Sequence, residues 1–134
     1  MEIKCTPVFF QNLRKIERKP SHKKIESLIS DHFFNKEFSD LLSGMRIHDI
    51  PRKPFIKKRL GGKGGYRIYY VADENEEIIY LLYLHPKTGA FSQSNITAEQ
   101  KVNCLKELVY SKKKKELLSL SLNKETSKIE SNRN

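Results

Sequence analysis

The sequence predicts an α+β fold in which an N-terminal helical hairpin packs on a small antiparallel sheet and a C-terminal helix closes it. Three observations carry this expectation. Apolar residues recur at helical spacing before Gly44, the pattern turns strand-like between Met45 and His85, and a capped helical pattern returns at Thr97. A chain of 134 residues suits one domain with one modest core.

The elements follow in order. "MEIKC" reads as a short strand, and Thr6 followed by Pro7 reads as a helix N-cap with proline at the first helical position. Phe10, Leu13 and Ile16 form its apolar stripe. Pro20 breaks the pattern, and Ser21 is expected to cap a second helix carrying Ile25, Leu28, Ile29 and Phe33. "FFNKEFSDLLSG" is expected to continue or restart that helix up to Gly44.

"RIHDIP" and "FIKKRL" read as short strands separated by Pro51 and Pro54, which confine that region to an edge or an irregular connection. "GGKGG" is a turn, "YRIYYVAD" alternates, "ENEE" turns again, and the apolar "IIYLLYLH" is expected to be a central strand covered on both faces. The sheet is thus read as a run of antiparallel hairpins. After the polar loop "PKTGAFSQSN", Thr97 and Gln100 form a capping box, and Val102, Leu105, Leu108 and Val109 are expected to supply the buried stripe of the closing helix.

At Tyr110 the composition shifts. Residues 111–134 hold seven Lys or Arg and three Glu, a net of +4, and are read as a basic tail that extends the helix or is disordered. Residues 1–110 form the expected domain. The whole chain carries a formal charge of +10, which repels itself and attracts polyanions, so nucleic acid is the leading partner class. Cys5 and Cys104 have no CxxC spacing and read as buried apolar residues in a reducing compartment; the scattered His22, His32, His48 and His85 suggest no metal. With no signal-peptide segment and no long apolar run, the expected location is the cytoplasm, away from membranes.

Between Ile50 and Tyr70 stand seven basic residues and no acid: Arg52, Lys53, Lys57, Lys58, Arg59, Lys63 and Arg67. Period-two geometry puts Lys57 and Arg59 on one face of their strand and Ile56 and Lys58 on the other. Arg67 lies on the facing strand, so Lys57, Arg59 and Arg67 can gather on one patch with Tyr69 nearby. Guanidinium and ammonium groups bind phosphodiester oxygens through charge-assisted hydrogen bonds, and exposed tyrosines stack on bases. Lys58, Lys63, Arg52, Lys53, Tyr66 and Tyr69 are the expected RNA contacts around this patch. Any single lysine of the set is ordinarily a solvated surface residue; the shared face is what favours function. "GGKGG" lacks the order of a phosphate-binding loop and is followed by a strand, so it stays a hairpin turn.

The order "IKKRL", Gly-rich turn, "GGYRIYY", apolar "IIYLLYLH", lysine in "PK" and closing helix "ITAEQ" resembles the RelE/HigB-like toxins of bacterial type II toxin–antitoxin systems. The resemblance covers roughly residues 1–110, with "GGYRIYY…LLYLHPK" its most specific part. It implies a RelE-like fold related to microbial ribonucleases, an mRNA endonuclease acting on the ribosome without metal or cofactor, and a cognate antitoxin protein that restrains it. By residue, it implies that Arg67 matches the arginine of the family's "G-x-R" strand, Lys57 and Arg59 the basic pair before it, and Lys87 the basic residue after the long strand. Arg67 and Arg59 are then the candidates for holding the phosphorane, Lys57 for general base, and Lys87 or a tyrosine for leaving-group support. His85 and Glu99 are the obvious substitutes for a further proton-transfer group. Two other readings stand beside it: a ParE-like inhibitor of DNA gyrase, and a non-catalytic RNA-binding module.

Overall fold

The computed structural model describes residues 1–62 and 64–133. Its architecture is α+β. A seven-stranded mixed sheet carries two helices on one face and a third on the other. The strands are β1 (Glu2–Cys5), β2 (Met45–His48), β3 (Phe55–Leu60), β4 (Tyr66–Asp73), β5 (Ile78–Pro86), β6 (Leu118–Asn123) and β7 (Lys128–Arg133), in the order β2-β3-β4-β5-β1-β6-β7. The helices are α1 (Pro7–Glu17), α2 (Ile25–Phe33) and α3 (Ala98–Lys114).

α1 starts where the sequence indicates, with Thr6 Oγ1 accepting from Phe9 N at 3.2 Å and Pro7 in the first turn. It buries Phe9, Leu13 and Ile16, so Phe9 rather than Phe10 leads the stripe. α2 begins at Ile25, preceded by a 3-10 turn over Pro20–His22, and Ser21 does not cap it. It does not continue to Gly44 either. The chain passes through a second 3-10 turn, Phe38–Leu42, and Gly44 turns into β2 with φ of +124°, a conformation glycine tolerates. Ile25, Ile29 and Phe33 join Phe9, Leu13 and Ile16 over Ile56, Ile68, Tyr70, Ile79 and Leu81.

β5 is central and buried on both faces, as its apolar run predicts. The sheet is not purely antiparallel, because β1 lies parallel to β5, pairing Ile3 with Ile79 and Cys5 with Leu81. The largest correction concerns the end of the chain. α3 does extend through the lysine run to Lys114, but residues 118–133 form a hairpin that adds two strands to β1. Its anchor is Glu26, only 3% exposed, whose carboxylate accepts from Ile129 N at 3.1 Å, Lys128 Nζ at 3.2 Å and Arg14 at 3.1 Å. Arg14 also donates to the Ile129 carbonyl and pairs with Glu17. Ile129 is thereby held in the core beside Leu120.

The capping box at Thr97 and Gln100 forms as expected. The stripe below it is rotated, however. α3 buries Cys104, Leu108 and Ser111, with Leu105 half-buried, while Val102 and Val109 are 50% and 65% exposed. Cys5 and Cys104 are free and buried. No helix among the described residues is long and apolar enough to cross a membrane.

Candidate active site

Strand register builds the site. Phe55, Lys57 and Arg59 of β3 turn to the α3 face, and Ile56, Lys58 and Leu60 to the other. β4 places Arg67 opposite Arg59 and Tyr69 opposite Lys57. β5 then sets His85 beside Arg67 and Tyr83 beside Tyr69. Two rows cross three strands, one of Arg59, Arg67 and His85, the other of Lys57, Tyr69 and Tyr83.

A bulge makes the second half of this arrangement possible. Tyr69 pairs with Tyr83 but Tyr70 pairs with Leu81, so Leu82 is an extra residue in β5. Strict alternation would put Tyr83 and His85 on the α1/α2 face with Ile79 and Leu81. The inserted residue returns both to the α3 face, where Tyr83 and Leu82 pack in the same cluster.

α3 covers only the middle of that face. Beyond its N-terminus an open cleft of about 360 Å³ remains, lined by Lys57, Arg59, Arg67 and Lys87 with Gly44, Met45 and Lys58 at its border. All four residues assigned a catalytic part from the sequence meet there. Among the described residues, no carboxylate forms an ion pair with any of the four. Arg59 and Arg67 stand directly opposite across the β3/β4 ladder, a like-charge pair that destabilises the sheet. Lys57 has its pKa lowered, first by partial burial and then by Arg67, Lys87 and Arg59.

Neutral acceptors hold these cations. The loop between β5 and α3 folds back so that Lys57 Nζ donates to Asn95 Oδ1 at 2.9 Å and Lys87 Nζ to the Ser94 carbonyl at 2.7 Å. Asn95 Oδ1 also accepts from Ile96 N at 2.9 Å. Gln93 is pinned in turn by the Tyr83 hydroxyl and by Gln100 at 3.0 Å. Asn95, Gln93 and Tyr83 were not picked out in the sequence. Polar residues in a long loop carry no periodic signal, and only the fold brings them to the lysines.

The tyrosine assignments require correction. Tyr69 is fully buried, with its hydroxyl 2.8 Å from His85 Nε2 and its pKa pushed up to about 12 by burial. Tyr66 is 8% exposed, faces α2, and shares its hydroxyl with His22 Nδ1 at 2.8 Å. Neither presents a ring for a base to stack on. Alternation with Arg67 suggested a solvated face for Tyr69, but α3 and its loop lie over it.

Of the remaining basic residues that are described, Lys58 reaches only the border of the cleft, and Arg52 and Lys53 lie away from it. Lys58 faces the opposite side and is tied to the Ser43 carbonyl at 3.1 Å and hydroxyl at 2.7 Å. Arg52 and Lys53 sit at the far end of β3, Lys53 within 3.9 Å of Asp73 and Arg52 bordering a hollow with Glu37, Glu74 and Glu77. Lys63 lies outside the described residues. His85 is 1% exposed, beneath the cleft, with its pKa lowered mainly by burial. Glu99 is exposed in the first turn of α3 and does not line the cleft. Among the described residues no group of three or more His, Cys, Asp or Glu is placed to hold a metal ion.

No family model, curated protein or solved structure matches the chain.

Proposed function

We propose that the chain is an endoribonuclease that cuts messenger RNA, the toxin of a toxin–antitoxin pair acting in the cytoplasm on ribosome-bound messages. The observation that supports this reading is the cleft itself. Four cations, from β3, β4 and the residue after β5, converge with no counter-charge paired to them among the described residues, and the space between them suits a phosphodiester.

RNA carries its own nucleophile. Lys57, with a pKa below that of an ordinary lysine, removes the proton of the 2′-hydroxyl. The 2′-oxygen attacks phosphorus, and Arg59 and Arg67 take the developing dianionic phosphorane from the two sides of their ladder. The bond to the 5′-oxygen breaks, and Lys87 returns a proton to it. The products are a 2′,3′-cyclic phosphate and a 5′-hydroxyl. With both tyrosines buried, Lys87 is the leaving-group candidate that remains in the cleft. An acidic antitoxin segment is the partner whose charge suits this surface.

The test is controlled expression of wild type and Arg67→Ala, following growth and new 5′ ends in cellular mRNA together. Growth arrest with new cuts inside translated codons, lost in the variant, is the expected result. Arrest without cuts would move the target to gyrase or elsewhere. One feature favours a second reading, a module that only binds RNA: among the described residues, the cleft lining holds no imidazole or carboxylate to share proton transfer. Intact RNA recovered after stable, salt-sensitive binding would establish that alternative.

A further inference from the structure

Lys57 and Lys87 are held by two consecutive residues of the loop before α3, Asn95 and Ser94, and the hold on Lys57 is the more specific. Asn95 Oδ1 receives Lys57 Nζ at 2.9 Å and Ile96 N at 2.9 Å, while the Tyr69 hydroxyl approaches at 3.3 Å. One hydroxyl proton cannot serve both His85 and Asn95, and the ring settles which it serves. His85 Nδ1 lies 3.1 Å from the Pro86 carbonyl, which only accepts, so Nδ1 carries the hydrogen. Burial and the cations Lys87, Lys57 and Arg67 keep the ring neutral. Nε2 is then a bare acceptor at 2.8 Å and takes the Tyr69 proton. The Asn95 oxygen is left to Lys57 and Ile96.

We propose that Asn95 is the positioning residue for Lys57. It holds one N–H of the amine so that the remaining tetrahedral positions, among them the lone pair of the neutral form, turn to the cleft. This inference rests on the endoribonuclease reading, in which Lys57 is the general base. A neutral amide suits the task better than a carboxylate. It fixes the nitrogen by a hydrogen bond yet adds no charge to stabilise the protonated amine. The groups facing Lys57 are Arg59 on its own strand, Arg67 on β4 and Lys87 after β5, all cationic, and Tyr69 and His85 beneath, both neutral.

The discriminating variant is Asn95→Asp, which is nearly isosteric and keeps the acceptor for Ile96 N. Its carboxylate places a negative charge on Lys57. The titration of Lys57, followed by NMR of the isotopically labelled full chain, should move up by at least one pH unit. The pH profile of RNA cleavage should move with it, lowering kcat at neutral pH roughly tenfold while KM stays within twofold. A purely structural role at the start of α3 would move neither. An unmoved Lys57 titration in Asn95→Asp overturns the inference. A titration that moves while cleavage does not would retain the contact and remove the general-base role, which is the failure of the underlying reading and not of the geometry. Asn95→Ala, with Lys57 released, should lower kcat without moving the thermal midpoint by more than a few degrees. Undiminished kcat in that folded variant would equally overturn the positioning role.

Discussion

Two clusters of the same side-chain types behave in opposite ways in this molecule. Around Glu26, the cations Arg14 and Lys128 meet carboxylates, and the assembly fastens β7 to α1 and α2. In the cleft, Lys57, Arg59, Arg67 and Lys87 meet, among the described residues, only amide and carbonyl oxygens or each other. The first cluster is matched and holds the fold. The second is unmatched and strains it, an arrangement that persists where charge is kept for a ligand. Counting lysines and arginines does not separate the two; counting their partners does.

The two clusters should differ most sharply when Arg67 is removed. Arg67→Ala should lower cleavage by roughly 10²–10³-fold, the range for removing one pre-organised stabiliser of a transition-state charge. Single-turnover cleavage of a short RNA reads this, and an undiminished rate would take the phosphorane role from the cleft. At the matched cluster the effect should fall on stability. Glu26→Gln removes the charged acceptor of three donors and should destabilise by about 2 kcal/mol in denaturant unfolding, with cleavage by the folded fraction unchanged.

RNA binding should show the unmatched cations directly. Four phosphate contacts to a single strand give a slope of log K against log salt of about −3, measurable with a non-cleavable oligodeoxynucleotide. A slope near zero would mean that the cleft does not hold a backbone.

Acid should act on the fold, through His32. Burial first, then Lys58 and Lys36, lower its pKa from 6.5 to about 4. The unfolded chain therefore binds this proton more readily, so the stability His32 contributes is complete above pH 6.5 and is lost as pH falls toward about 4. His32→Leu should flatten that part of the stability profile; an unchanged profile would place the acid sensitivity elsewhere. The smallest effect sharpens the contrast most. Replacing Arg59 by Thr relieves a like-charge pair across the β3/β4 ladder and should raise stability by roughly 0.5 kcal/mol, while weakening cleavage.

Much of this cleft was legible in the sequence, because alternation fixes which residues of a strand share a face. Lys57, Arg59 and Arg67 needed only that rule and a hairpin between "FIKKRL" and "YRIYY". The bulge at Leu82 was not legible, since "IIYLLYL" is apolar at every position and gives no phase to break. Tyr69 was misplaced for a related reason. Its strand alternates, but burial depends on what α3 brings over it from thirty residues further on. α3 itself has apolar residues on two sides, and only contact with Tyr80 and Leu82 selects Cys104 and Leu108 over Val102 and Val109. "LSLSLN" does alternate, yet its polar composition hid a strand that pairs with β1 and with β7, which is itself held by a carboxylate about a hundred positions earlier.

The place of β1 in the sheet has a consequence for the newborn chain. It is made first, yet its two neighbours, β5 and β6, begin at residues 78 and 118. The four strands that form the cleft wall are nearest neighbours in sequence and close by hairpins as they emerge. During vectorial synthesis the cationic cleft can therefore be assembled while the first strand still waits for one of its partners. A chain halted before residue 118 would carry the cationic cleft without the seam that completes its sheet.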